Sequence, residues 1–315
     1  MPRASLVAAL LLLICLPAAA IVVPIGGDPD DFTTTDAFFS GVGKITITKT
    51  AGPVGCSGSL LSTGLHVLTA AHCVTTGGVL DASAATVEFP TLAGISVAAF
   101  YVNPLWTGAL GTGDLAILEL SSLAPLSVMR YGLFSGAVLA YDTVTLAGYG
   151  VSGVGMEDAG LYPFGTLRKG DNTVDAFWGL TDTFATDFDN GLEDNNLIGF
   201  LLTTPGVGLG LGTEEVNIAP GDSGGPMFHG SLILGVHSFG LCVAFPGNPG
   251  CDSPPDVDTF LNSSHGEGAG HTDVREHSAW FDSILIPEPG TWLLGGAGLL
   301  VILLGRRRVR GGNRG

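Results

Sequence analysis

The run Gly221-Asp222-Ser223-Gly224-Gly225-Pro226 decides how this chain reads. Ser223 is followed by glycines, so no side chain blocks a carbonyl group approaching its oxygen. Gly221, two residues before the serine, can take backbone angles closed to residues with a Cβ. That freedom lets its N–H point the same way as the N–H of Ser223, and two such donors form an oxyanion hole. The stretch therefore reads as a device for attack by a serine hydroxyl on a carbonyl. Alone, Gly-x-Ser-x-Gly is a weak signal, and any single Ser, His or Asp is more often a surface or capping residue. Its weight comes from what stands upstream.

A histidine lies in Leu68-Thr69-Ala70-Ala71-His72-Cys73, and an aspartate in Gly113-Asp114-Leu115-Ala116-Ile117-Leu118-Glu119-Leu120. The order His72, Asp114, Ser223 differs from the orders used by subtilisin and the α/β-hydrolases. At these residues the chain resembles the trypsin/chymotrypsin family of serine proteases, from about Gly41 to Ile286. Cys56-Ser57-Gly58-Ser59-Leu60-Leu61 is similar to the family's segment before the histidine. Ala147-Gly148-Tyr149-Gly150 is similar to its Gly-aromatic-Gly turn. Gly235-Val236-His237-Ser238-Phe239-Gly240 is similar to its substrate-binding strand. Thr272-Asp273-Val274, with Trp280-Phe281-Asp282-Ser283-Ile284, is similar to its last strand and closing helix.

The resemblance implies roles. Ser223 would be the nucleophile, His72 the general base and then acid, and Asp114 the group that fixes the His72 tautomer. The Gly221 and Ser223 N–H groups would hold the oxyanion, worth about 3–4 kcal/mol per donor. Asn217, His237, Ser238 and Gly240 would line the substrate site. Asn217, six residues before the serine, is not the aspartate that selects Arg or Lys, so cleavage after basic residues is not supported. Ala219 replaces a cysteine common in animal members, and Pro220 should stiffen the turn. Glutamate-specific members carry a histidine at the place of His237, but Ile218 and Gly240 lack the hydroxyl partners of such a pocket. His237 packed under its strand is the alternative.

Bulk properties agree with an all-β chain. Gly 49 and Pro 18 are high, and only 13% of residues are charged. Short apolar runs at Lys44–Thr48, Ser96–Val102, Leu115–Leu120, Thr143–Leu146 and Leu232–Val236 alternate with Gly/Pro/Asp/Ser punctuation, and no long helical period occurs before about Asp273. The pattern alone gives a β sandwich or barrel. The resemblance narrows it to two packed antiparallel β-barrels of the chymotrypsin type, with a short C-terminal helix. The formal charge is −17, and Arg306, Arg307, Arg308, Arg310 and Arg314 hold five of the 12 basic residues. So acidic a body argues against nucleic acid as a partner. No cofactor is implied.

With Cys15 in a segment expected to be removed, Cys56, Cys73, Cys242 and Cys251 remain. In the family the first two are bridged, a link worth roughly 3 kcal/mol. The other two are then left to pair with each other. No Cys-x-x-Cys spacing occurs, which counts against a metal site.

The ends read as addresses. In residues 1–20, Arg3 precedes an apolar run from Leu6 to Leu16 and then Pro17-Ala18-Ala19-Ala20, the pattern of a secretory signal peptide. The segment 287–315 opens on Pro287-Glu288-Pro289, continues through apolar Leu293–Leu304 and ends in arginines. In order and content it resembles the PEP-CTERM sorting signal, which exosortases recognise; a plain single-span anchor is the alternative, with the basic flank cytoplasmic. The segment Asp252–Gly270 reads as an inserted polar loop near the pocket.

The expectation is a secreted, surface-sorted serine endopeptidase of residues 21–286. Its partners would be protein or peptide substrates, signal peptidase and an exosortase-type enzyme, with transient inner-membrane association through the tail. The rival is a non-catalytic surface-binding protein on the same scaffold. Signal cleavage after Ala20 would leave Ile21-Val22 in front. In the trypsin family such a terminus pairs with the acidic residue at the place of Asp222, although Ile25-Gly26-Gly27 is a competing start.

Overall fold

The computed structural model describes residues 21–286 apart from 110, 157–161, 179–181, 205–206, 245–249 and 252. The two terminal segments read as export and sorting signals lie outside the described residues.

The first sheet grows from alternating sequence. In β1 (Val42–Lys49), Ile45 and Ile47 are buried while Thr46 and Thr48 are exposed, the two-residue period of a strand with one face inward. After it come β2 (Gly52–Leu60), β3 (His66–Thr69) and the one-turn helix α1 (Ala71–Val74). A small hairpin of β4 (Thr75–Thr76) and β5 (Val79–Leu80) follows, then β6 (Ala84–Phe89), β7 (Leu92–Val102) and β8 (Ala116–Leu120). The order β1-β2-β3-β8-β7-β6 closes into a barrel. Closure removes the unpaired edges that an open sheet would expose.

The second sheet comprises β9 (Thr143–Gly148), β10 (Arg168–Thr173), β11 (Ala176–Trp178), β12 (Thr183–Phe188), β13 (Pro226–His229), β14 (Leu232–Leu241) and β15 (Glu267–Asp273). Its order is β10-β9-β13-β14-β15-β12-β11. It is a curled half-barrel rather than a closed ring. Ile21, Val144, Leu146, Met227 and Leu234 are among the residues that fill its core. A short helix α2 (Leu197–Leu202) follows β12, its first turn capped by the Asn196 side chain on the Gly199 N–H.

The mostly-β architecture agrees with the sequence reading. Each of the five apolar runs coincides with a strand: β1, β7, β8, β9 and β14, with Leu115 one residue ahead of β8. The chain divides into two compact units, Met1–Glu276 and His277–Gly315. The second contains α3 (Ser278–Leu285), the expected C-terminal helix. Among the described residues no helix is long and apolar enough to cross a membrane.

Candidate active site

His72 sits in α1, on the turn that leaves β3, and its side chain is 29% exposed. The Cys56–Cys73 disulfide joins the residue after it to β2. Asp114, directly before the β8 run, is fully buried. Its Oδ1 accepts the His72 backbone N–H at 2.8 Å, and its Oδ2 faces His72 Nδ1 at 2.7 Å. Oδ2 also accepts the Ser238 hydroxyl. A carboxylate only accepts, so Nδ1 carries the proton. Burial acts to raise the Asp114 pKa, but the His72 ring, the Ser238 hydroxyl and the His72 N–H together hold it below the ordinary value. The aspartate is thus charged at neutral pH, and it fixes both the tautomer and the direction of the ring.

Ser223 lies in the turn before β13. Gly221 has φ +99° and Gly224 φ +82°, in the left-handed region that favours glycine. A Cβ on Gly224 would collide with Thr69 Oγ1 and the Ser57 carbonyl, so the turn can come this close to the first sheet only with glycine there. Three hydrogen bonds tie it down: Ser57 N–H to the Ser223 carbonyl at 2.8 Å, Ser57 Oγ to the Gly221 carbonyl at 2.8 Å, and Gly224 N–H to the His237 carbonyl at 2.9 Å. The Thr69 hydroxyl donates to the Ser57 carbonyl at 2.8 Å. Ser57 therefore links the serine turn to β3, the strand that leads into His72. Among the described residues, neither the Gly221 nor the Ser223 N–H is donated to another group, and Ser223 Oγ makes no hydrogen bond to His72. In unliganded sites such bonds are often long and tighten only with substrate.

Asp222 is buried under this turn. Its Oδ1 accepts Gly150 N–H at 3.1 Å and its Oδ2 accepts Ala219 N–H at 3.0 Å. Burial pushes its carboxyl up to about 8, against the opposing effects of those two N–H groups, the Arg168 charge and the Ile21 N–H. Ile21 is itself fully buried, and its carbonyl accepts the Ser152 hydroxyl at 2.6 Å. Val22 and Asn217 exchange backbone hydrogen bonds at 2.9 and 3.0 Å. The Ile21-Val22 segment is thus seated beside Asp222, whereas Ile25 is an exposed side chain.

The other expected substrate residues are placed as follows. Asn217 is buried, and among the described residues its side-chain Oδ1 has no partner. Ser238 is turned to Asp114. His237 is fully buried, with its Nδ1 3.0 Å from the Nδ1 of His271 on β15; His271 Nε2 faces the Thr186 hydroxyl at 3.0 Å. Burial first, then His271, push the His237 pKa well below the ordinary histidine value. Residues 237–240 pair with β15 across a bulge, while pairing with β13 stops at Val236. Among the described residues, one edge of Ser238–Gly240 therefore has no strand neighbour within its sheet.

Cys242 is bonded to Cys251. The segment read as an inserted polar loop ends in a buried strand. Glu267–Gly270 belongs to β15 and is buried, and before it Glu267 accepts the Asn262 and Ser263 N–H groups at 2.8 Å. Sequence reasoning missed His271 as the partner of His237, and the bridging roles of Ser57 and Thr69. These pairings join residues distant in the chain and leave no local pattern.

Residues 39–161 match the family model for Trypsin. That span holds His72 and Asp114 and ends before Ser223. No curated protein matches the chain. Among solved structures, the chain is similar to HL collagenase solved at 1.7 Å, with TM-score 0.53 and 18% identity over 82% of this chain and 98% of that one. It is also similar to neuropsin, a serine protease expressed in the limbic system of mouse brain, with TM-score 0.54 and 15% identity over 80% of this chain and 98% of that one. At these identities the likeness is one of fold, and the fold is of the chymotrypsin type.

Proposed function

We propose that the chain is a serine endopeptidase acting through Ser223, His72 and Asp114. The observation that carries this reading is the His72–Asp114 pair, at 2.7 Å, beside the sheet to which the Ser223 turn is bonded. His72 Nε2 takes the proton of Ser223 Oγ as the oxygen attacks the scissile carbonyl. The Gly221 and Ser223 N–H groups hold the resulting oxyanion. His72 then gives the proton to the leaving amine, and the acyl group stays on Ser223 until water repeats the sequence. The substrate backbone would add as a strand along the free edge of Ser238–Gly240, with Asn217 near the pocket and His237 packed beneath the strand against His271.

The test is turnover of a peptide library by the wild type and by Ser223→Ala and His72→Ala. Each variant should lose roughly 10⁵–10⁶-fold in kcat, because such residues act as a unit. Near-normal turnover in Ser223→Ala would end this mechanism, and a folded wild type that turns over no peptide would leave the rival, a non-catalytic surface-binding protein on this scaffold.

The same reading extends to export. Two disulfides suit an oxidising compartment. Residues 1–20 would be removed by signal peptidase, 21–286 would form the protease domain, and 287–315 would be a PEP-CTERM segment. That segment holds the chain transiently in the inner membrane until an exosortase-type enzyme sorts it to the surface or exterior. Cleavage after residue 20 would turn the buried Ile21 amide beside Asp222 into an ammonium group, so that signal removal also completes the active-site turn.

A further inference from the structure

Asp187, Asp189 and Glu215 are all fully buried, and one carboxylate oxygen from each lies within 4.8 Å of the others. Asp187 stands near the end of β12 and Asp189 just past it; Glu215 opens the segment that runs to Asp222. Each acid is held from outside by a backbone N–H. Asp187 Oδ2 accepts Ile198 N–H at 3.3 Å, Asp189 Oδ1 accepts Gly191 N–H at 2.6 Å, and Glu215 Oε1 accepts Leu211 N–H at 2.7 Å. Among the described residues, Asp187 Oδ1 and Asp189 Oδ2 are buried without a hydrogen-bond partner. Glu215 Oε2 has one long bond, from Asp189 N–H at 3.4 Å. Among the described residues no Lys or Arg forms an ion pair with any of them.

Buried carboxylate oxygens without donors are costly. A cation placed among them would satisfy all three and offset their charge. The donor set consists of hard oxygens, with no imidazole among them. That chemistry suits calcium, which accepts oxygen ligands at 2.3–2.6 Å in irregular geometry and completes its shell with carbonyls or water. Cys251 lies in the other acidic group, with Asp256 and Glu267, but its sulfur is committed to Cys242, so that group offers no comparable set. The backbone also fits a built site. Gly210 has φ +40°, and a Cβ there would run into the Glu215 carboxylate; glycine lets the loop close round it.

We propose that Asp187, Asp189 and Glu215 bind one calcium ion. The ion clamps the end of β12 to the segment that begins at Glu215. Two residues on, Asn217 is paired with Val22, and the chain then passes to Asp222 and Ser223. Calcium would therefore stabilise the wall from which the serine turn departs, whether or not Ser223 is catalytic.

The test uses the full chain, stripped with EDTA and dialysed against calcium chloride at pH 7.5. Equilibrium dialysis with radioactive calcium should find one site, lost in Asp189→Asn and in Glu215→Gln. At calcium about a hundredfold above its Kd, the wild-type Tm should rise by roughly 5 °C. Because a variant can fail to fold, hydrogen exchange of the wild type supplies an independent reading. Calcium should slow exchange at the Gly191, Ile198 and Leu211 amides that hold the carboxylates. Absence of calcium binding would overturn the proposal. So would binding that persists in both variants, or protection confined to other segments. A Tm that rises on acidification but ignores calcium would assign the cluster to shared protons instead.

Discussion

Adding one residue in front of Ile21 tests how the serine turn is held. In the uncut chain, the Asp222 carboxyl is pushed up to about 8 by burial, because only backbone N–H groups and a neighbouring charge oppose it. An unfolded aspartate ionises near 4. The folded uncut chain therefore keeps a proton that the unfolded chain releases. Its relative stability is greatest below pH 4 and is lost as pH rises through about 8, by roughly 5 kcal/mol in all. Cleavage after residue 20 places an α-ammonium, with an ordinary pKa of about 8, where the Ile21 amide now donates. Breaking such a buried pair from one side costs about 3–5 kcal/mol. If that energy selects the competent turn, the chain starting at Ile21 should exceed the extended chain about 100-fold in kcat/KM at pH 7. Asp222→Asn should remove the advantage in the Ile21 form and change the extended form little. The assay is hydrolysis of a peptide substrate by the four proteins. Equal turnover of the Ile21 and extended forms would remove the amino terminus from the mechanism and leave Asp222 a local structural residue.

Non-reducing peptide mapping should recover Cys56 with Cys73 and Cys242 with Cys251; a Cys56–Cys242 peptide would contradict the fold at both sites. Deleting residues 287–315 should release a soluble, active protein, and an unfolded product would make the tail part of the fold. Library profiling resolves His237. Cleavage after Glu that His237→Ala abolishes would put the ring in the pocket. Cleavage after Leu, Phe or small residues, the outcome its burial against His271 favours, would leave it in the core. Asp114→Asn should lower kcat by roughly 10⁴-fold, because the amide favours the wrong His72 tautomer; an unchanged kcat would detach Asp114 from the chemistry.

The mostly-β fold was legible because its strands alternate or run apolar between turn residues, as Ile45 and Ile47 do in β1. The candidate site was legible because each of its members sits in a local motif. What stayed hidden depends on pairing across the chain. Asp187 and Asp189 are two apart at the end of β12, but Glu215 comes to them from 26 residues further on, and nothing in its neighbours marks that meeting. His237 and His271 are 34 residues apart and meet only because β14 and β15 lie side by side. The closed first barrel and the open second sheet differ in strand pairing, not in pattern. The segment before β15 reads as a polar loop because its acids and hydroxyls bond one another inside the protein, as Asp256 does with the Ser264 hydroxyl at 3.0 Å.

The central claim is that Ser223 is an activated nucleophile. Incubating the chain with an active-site-directed organophosphonate and locating the adduct by mass spectrometry tests it most directly. One adduct per molecule is expected, on the peptide carrying Ser223, absent in Ser223→Ala and strongly slowed in His72→Ala. A folded protein that takes up no label, or takes it up at another residue with Ser223 unmodified, would contradict it.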